Sequence, residues 1–428
     1  MTALRVRGSG ALCGSVKAAG NKNAALPLVA AALLTDEPVR LENVPDIGDL
    51  RVMLELVSAA GVEVDWSRAS GTLQLRARNL ISHELPEALY ASLRAGILLA
   101  APLLARRGAA VMVPPGGDVI GRRRLDAHVE GLAALGVEIE TDAKLRFSAP
   151  RGLHGADIFL PEASVTATEQ VLMAAAAAKG TTVLRNAACE PHVQDLARML
   201  SAMGARIEGI GSNTLTVSGA ERLRGTSFRI GSDVAEAASF LALGAATHGD
   251  VTVTGVEPDE YRMIARTFRR LGVRLEVGPG GVRVGPDQAL QVVPELAGGI
   301  PVIDDGIWPQ FPSDLMSVTI VLATQVQGTV LFFEKLYESR MYFVDRLVAM
   351  GANAVICDPH RAVIAGASRL HGIVLQSPDI RAGIALLGAA LCARGESHIR
   401  NAESIDRGYE RIEEKLRVLG ADIERVDG

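Results

Sequence analysis

The run from Val113 to Gly131, VPPGGDVIGRRRLDAHVEG, puts a carboxylate, Asp118, directly after a Pro-Pro-Gly-Gly turn. Three arginines, Arg122, Arg123 and Arg124, follow close behind. Adjacent guanidiniums suit an anion, and a carboxyl on a glycine turn suits proton transfer or a charged partner. Groups of the same character lie far away in the chain. Lys22 follows Gly20-Asn21, Arg94 stands in Ser92-Leu93-Arg94-Ala95-Gly96, and Arg381 stands in Asp379-Ile380-Arg381-Ala382-Gly383. Arg94 and Arg381 open the same tetrapeptide, Arg-Ala-Gly-Ile. Ser164-Val165-Thr166, Ser232-Asp233 and Ser313-Asp314 also precede apolar helical stretches. Ser, Asp and Asn are ordinary helix N-caps, and Asp314 reads as one. Capping gives no reason for Lys or Arg at the positive end of a helix, where a cation is disfavoured unless an anion is bound. Helix starts carrying Lys or Arg are ready anion sites.

The elements that must position these residues repeat along the chain. An apolar helix end, a Gly and an alternating strand recur as LVSAAGVEVDW, LAALGVEIET, LSAMGARIEG, FRRLGVRLEV, LVAMGANAVI and LRVLGADIER. The glycines, Gly61, Gly136, Gly204, Gly272, Gly351 and Gly420, lie 68 to 79 residues apart. Gly suits the helix C′ position, and the alternation behind it predicts a half-buried strand. Between these phrases lies a second one, an Ala/Leu helix, a break and a β-branched strand, again in six copies, such as AAAAAKGTTVLRNA and LGAALCARGESHIRNA. Each unit is then a small α/β subdomain of about 70 residues, too long for an ordinary solenoid repeat. Two lobes of three units are the economical arrangement. Pseudo-symmetry would bring the charged helix starts toward one cleft.

Composition narrows the class. The chain has 428 residues, 48% hydrophobic and only 4% aromatic, so the core must be mostly Ala, Val, Leu and Ile. That is a folded chain of two or three domains. A net charge of −5 supplies no global basic field for nucleic acid. Cys13, Cys189, Cys357 and Cys392 form no CxxC pair and read as free thiols in a reducing compartment. The N-terminus MTALRVRGSG lacks the apolar core of a secretory signal. The longest apolar runs, Ala95–Ala105 and Gly383–Ala393, are 11 residues long. A membrane span needs about 20. The expectation is a soluble cytoplasmic protein without metal or cofactor.

The motifs resemble those of the enolpyruvyl transferases over essentially the whole chain. The anchors are Lys22-Asn23-Ala24-Ala25-Leu26-Pro27, the glycine-rich run Gly116–Arg123, Ser164-Val165 with Ala167-Thr168-Glu169, and Asn186-Ala187-Ala188. They continue with Phe311-Pro312-Ser313-Asp314, Glu338-Ser339-Arg340 and the long run IDRGYERIEEKLRVLGADIERV. The match is to the branch that acts on UDP-N-acetylglucosamine in peptidoglycan precursor synthesis, the cell-wall route on which shape and division depend. The shikimate-pathway branch shares the fold but opens differently around its lysine. The resemblance implies an α/β fold of two lobes, an inside-out barrel of six βαβαββ units. It implies an N-terminal lobe of residues 22–231, which carries the catalytic loop 114–124, and a C-terminal lobe of 1–21 plus 232–428.

By the same resemblance, the reaction moves the enolpyruvyl group of phosphoenolpyruvate to a sugar 3-hydroxyl and releases phosphate. Lys22, Arg123 and Arg407 match residues around the phosphate, and Arg340 and Arg381 match those near the carboxylate. Asp314 matches the base, Asn23 also contacts the sugar, and Glu338 supports the site. Arg94, Arg123, Arg124, Leu125, Asp126, His128, Ser164, Val165, Thr166 and Leu336 match positions around the nucleotide sugar, as do Asn23 and Asp314. Most relatives carry Cys at the position of Asp118, and a minority carry Asp. That residue is expected to protonate the enol. Departures gather near the nucleotide. Glu162 stands for a usual Lys, Thr166 for a usual Gly, Arg124 for a usual Pro, and Ser232–Glu236 for a Pro-Asp-Arg-Ile-Glu run. Arg124 would compensate for the altered charge at 162. Otherwise the acceptor is a smaller uridine nucleotide or shikimate 3-phosphate, or the chain is a non-catalytic nucleotide-binding paralogue.

Overall fold

The structure, a computed structural model, describes residues 2–8, 10–118 and 120–427. Val119 of the glycine loop lies outside the described residues. The chain divides into two compact units. One holds Gly20–Asp118 and Arg123–Gly231, and the other holds the described parts of Met1–Ala19, Val119–Arg122 and Ser232–Gly428. The middle of the glycine loop, residues 120–122, thus groups with the second unit, although the loop's two ends group with the first.

Each unit carries two kinds of helix. Lys22–Ala31 and Val165–Ala176 in the first unit are buried nearly all round. So are Val234–Ala246, Met316–Thr324 and Ile380–Cys392 in the second. A helix apolar on every face has no solvent side and must sit inside. Small side chains let these helices approach closely. A Cβ on Gly388 would lie 2.3 Å from Leu243 Cδ2 of the neighbouring buried helix. The other helices, such as Gly48–Ala59, Pro191–Ala202 and Arg262–Arg270, bury one stripe and expose charged residues.

The sheets lie outside these helices, three to a unit. In the second unit, Thr2–Arg7 runs antiparallel between Glu396–Arg400 and Asp422–Asp427, and Cys13–Lys17 pairs in parallel with Asp250–Thr254. Five sheets have four strands with one parallel edge pair. The sixth, Ala109–Met112 with Glu138–Thr141 and Leu145–Ser148, has three, and a single parallel bridge from Glu84 to Val111 stands at its edge. The recurring glycines take the role expected of them. All six have φ between +73° and +118°, just past a helix end and just before a strand or extended segment. A left-handed residue there ends the helix and turns the chain into the sheet.

Candidate active site

In the first unit the chemistry gathers at helix starts. Asn21 caps Lys22–Ala31, its Oδ1 accepting from the amides of Asn23 (2.8 Å) and Ala24 (3.1 Å). Lys22 is the first residue of that helix, where a cation is unfavourable. Asp49, in the first turn of Gly48–Ala59, answers it: Lys22 Nζ lies 3.1 Å from Asp49 Oδ2, with both side chains largely buried. Sequence reasoning missed Asp49. The one available signal was an acid at the start of an apolar helix, which many surface helices share.

Arg94 begins the short 3₁₀ helix Arg94–Leu99, and its Nη2 donates to the carbonyl oxygens of Arg123 (2.8 Å) and Arg124 (3.2 Å). It therefore clamps the backbone of the arginine run. The glycines before Asp118 exist for this approach. A Cβ on Gly116 would lie 1.5 Å from the Ala91 carbonyl oxygen. Gly117 has φ +107°, and a Cβ there would lie 2.9 Å from Arg94 Cβ. Asp118 is half-buried in the loop between Ala109–Met112 and Asp126–Ala134.

The residues expected near the nucleotide divide. Ser164 caps Val165–Ala176, accepting from the Ala167 amide at 3.4 Å. Thr166 Oγ1 lies 3.1 Å from His128 Nε2. Gln170 gives its amide nitrogen to the Ile97 carbonyl (2.9 Å), so its Oε1 faces His128 Nδ1. That assigns the proton to Nδ1 and leaves Nε2 to accept from Thr166. Burial pushes the His128 pKa down to about 4, against the Gln170 hydrogen bond. As placed, this histidine is a neutral tie between two helices. Any influence on a nucleotide would pass through Thr166. Arg124 turns to the surface and pairs with Asp126 at 2.8 Å, and Glu162 and Glu130 add to the field that raises its pKa. Leu125 precedes the helix carrying Asp126.

The second unit holds a tighter constellation. Asp314 is not a cap. It lies inside the 3₁₀ turn Ser313–Leu315, behind Pro312, and its carboxylate is taken up by two arginines. Arg381 Nη2 donates to Oδ2 at 2.6 Å and Arg340 Nη2 to Oδ1 at 3.3 Å. Both arginines are buried, at 6% and 7% exposure, which decides that neither is a solvated surface charge. Burial opposes their charge, and Asp314 more than offsets it, so both pKa values are raised. Arg381 sits at the start of Ile380–Cys392, capped by Asp379, which accepts from the amides of Arg381 (2.8 Å) and Ala382 (2.9 Å). Its Nη1 donates to Tyr409 Oη at 3.1 Å, and its guanidinium stands 5.5 Å from that ring. Arg340 Nη1 is buried and has no hydrogen-bond partner among the described residues. An anion between these arginines would satisfy it.

Glu338 binds the loop segment of its own unit. Its Oε1 accepts from the Arg122 amide at 2.9 Å, and Ser339 N donates to the Ile120 carbonyl at 3.1 Å. A Cβ on Gly121 would lie 2.4 Å from Glu338 Oε2. Arg407 follows the short helix Glu403–Asp406 and is half-buried, and Leu336 is 41% exposed. The sequence offered no sign of the buried acids Glu334 and Asp305 beside this constellation. A charge at the end of an apolar strand is ordinarily a solvated edge.

The chain is similar to known proteins over nearly its whole length. A protein described as UDP-N-acetylglucosamine 1-carboxyvinyltransferase from Bradyrhizobium diazoefficiens is 51% identical over 421 residues, covering 98% of this chain and 97% of its own. One of the same name from Treponema denticola is 51% identical over 419 residues, covering 98% of each. The crystal structure of the enolpyruvyl transferase NikO from Streptomyces tendae superposes with a TM-score of 0.87 at 26% identity, covering 100% of this chain and 99% of that one. The family model described as EPSP synthase (3-phosphoshikimate 1-carboxyvinyltransferase) matches residues 6–416. The family model and these relatives each span nearly the whole chain, and the chain belongs to this enolpyruvyl transferase family.

Proposed function

We propose that the protein transfers the enolpyruvyl group of phosphoenolpyruvate to the 3-hydroxyl of UDP-N-acetylglucosamine and releases phosphate. It would thereby open peptidoglycan precursor synthesis in the cytoplasm. The observation that carries this reading is 51% identity, over nearly the full length of both chains, to relatives with the matching name. The Asp314–Arg340–Arg381 cluster, in which both arginines are buried, supports it chemically, since it offers a proton acceptor beside fixed positive charge.

In this mechanism Asp314 takes the proton of the acceptor hydroxyl. Asp118 protonates the enol methylene, so that C2 becomes electrophilic. Lys22, Arg123 and Arg407 hold the phosphate that leaves, and Arg340 and Arg381 hold the carboxylate. Asn23 and Arg94 orient the sugar and the loop. Ser164, Val165 and Thr166 offer the start of a helix to the nucleotide, aided by Leu125, Asp126 and Leu336. Glu338 supports the loop, and His128 acts through Thr166.

The second reading, a smaller uridine nucleotide as acceptor, draws on Glu162, which is exposed just ahead of the helix Val165–Ala176. Phosphate release is measured with phosphoenolpyruvate and, separately, UDP-N-acetylglucosamine, UMP and shikimate 3-phosphate. Release with the first acceptor is expected. Release with UMP alone would establish the second reading, and no release with any acceptor would leave a binding protein.

A further inference from the structure

Behind Asp314 lies a group that the reaction as proposed does not use. Glu334 follows the strand Gly328–Phe333 and is fully buried, as is Asp305. The Ser313 hydroxyl donates to Glu334, lying 2.8 Å from Oε1 and 2.9 Å from Oε2. The Tyr337 amide donates to Oε1 at 3.1 Å, and Arg340 Nε lies 3.8 Å from Oε2. Asp305 uses Oδ1 to accept from the Lys335 amide and has no other donor for Oδ2 among the described residues. Asp305 thus sits beside Glu334, its Oδ1 held by the amide of the next residue, and its carboxyl is one of the groups that raise the Glu334 pKa. From the turn between two strands, His360 Nδ1 meets the Glu334 carbonyl at 2.7 Å. Asp379 adds to the field that raises the Arg340 pKa.

We infer that Glu334 is a positioning residue for Asp314, acting through Ser313 and Arg340. The inference rests on the proposed function. Ser313 is the chain neighbour of Asp314, so its bond to Glu334 fixes the rotation of the 3₁₀ turn and the aim of the carboxylate. Arg340 lies between the two acids, with Nε toward Glu334 and Nη2 toward Asp314. A protonated Glu334 adds no negative charge behind Arg340, which leaves Arg340 and Arg381 to Asp314. Loss of the proton adds an uncompensated negative charge behind Arg340 and draws it away from Asp314. Burial, then the Asp305 carboxyl, push the Glu334 pKa up to about 9, and Arg340 and Ser313 oppose them. The proton is therefore in place at neutral pH and lost as pH rises through about 9.

The test uses the full-length protein and its E334Q, E334A and D305N variants. Infrared difference spectra of wild type minus E334Q at pH 7 should show the carbonyl band of a protonated carboxylic acid, which disappears above about pH 9. Subtracting the variant isolates Glu334 from other buried acids. E334A should lower kcat by about 10- to 100-fold, the cost of a misaimed base, and E334Q should recover most of it. The alkaline limb of the kcat profile should vanish in E334Q, which cannot titrate. It should move to lower pH in D305N, which removes the neighbouring carboxyl that raises the Glu334 pKa. A crystal structure of E334A should show Asp314 separated from Arg340. A missing infrared band, the same alkaline limb in wild type and E334Q, or an E334A structure with Asp314 and Arg340 unmoved would each overturn the inference. Wild-type protein without phosphate release on any acceptor overturns the proposed function instead. The infrared and crystallographic arms then still decide the role of Glu334.

Discussion

At the scale of single residues, chemistry and environment pull apart in instructive ways. Asp118 places a carboxylate on the glycine loop, and toward an epoxide a carboxylate is a far weaker nucleophile than a thiolate. The protein should therefore form no covalent adduct with fosfomycin, as intact-mass spectrometry would show, and D118C should acquire one. D118N should lose turnover, since an amide cannot deliver a proton. His128 makes a prediction about pH. Its pKa is depressed from 6.5 to about 4 by burial, so the unfolded chain takes up this proton before the folded one. The contribution is complete above about pH 6.5 and is lost as pH falls toward 4. It amounts to about 3 kcal/mol at most. Urea unfolding of wild type should weaken over that window, and H128Q should show a flatter dependence. A parallel pH dependence in the two proteins would mean that His128 titrates normally. Lys22 and Asp49 illustrate a limit of sequence reading. The lysine stood out at a helix start, but its partner lies 27 positions away and only the packing of two helices joins them.

At the scale of elements, the caps and the close-packed helices set the geometry that the residues use. Asp379 ends one chain of cause. It caps Ile380–Cys392 and so fixes Arg381 against Asp314. D379A should cost about 1 kcal/mol of stability by loss of the cap. It should also lower kcat more than a remote substitution of equal stability cost, which calorimetry and steady-state assays together would reveal. Gly388 tests the packing. Its hydrogen faces Leu243, and G388A forces a methyl group to 2.3 Å from Leu243 Cδ2. Destabilisation of about 1–3 kcal/mol is expected from overpacking, read from the denaturation midpoint. An unshifted midpoint would mean that the buried helices separate easily. Helix–Gly–strand phrases were legible because they depend on local rules: apolar period, a left-handed terminator and alternation. Asp314 was legible as a helix-start residue but not as an arginine-bound acid. The strand Gly328–Phe333 with Glu334 and the helix start at Arg381 must first meet around it.

At the scale of the whole molecule, six related units divide between two compact bodies, and the N-terminal strands join the body built from residues 232 onward. Truncation of residues 2–17 should therefore destabilise the C-terminal body, because it removes one central strand and one parallel edge partner. Limited proteolysis of the truncated chain should cut first beyond residue 232. Initial cleavage confined to residues 20–231 would contradict this. Ligand linkage provides a further check. UDP-N-acetylglucosamine alone, with no turnover, at about 100 times Kd should stabilise the protein by about 2.7 kcal/mol. UMP should give a smaller shift in melting temperature, unless the smaller nucleotide is the true acceptor.

The sequence by itself determined the repeat, the element types, the low-aromatic core and the identity of the charged helix starts. All of these are written in patterns only a few residues long. Family resemblance then supplied roles for residues such as Lys22, Arg123 and Arg381. Only the tertiary structure decided the partners: Asp49 for Lys22, the Arg124 carbonyl for Arg94, Thr166 for His128, and two arginines for Asp314. It alone exposed Glu334 and Asp305 as buried acids. Local propensity acts along the chain, whereas burial and charge pairing depend on which distant segments exclude water from one another. An isolated Glu at a strand end reads the same in either environment.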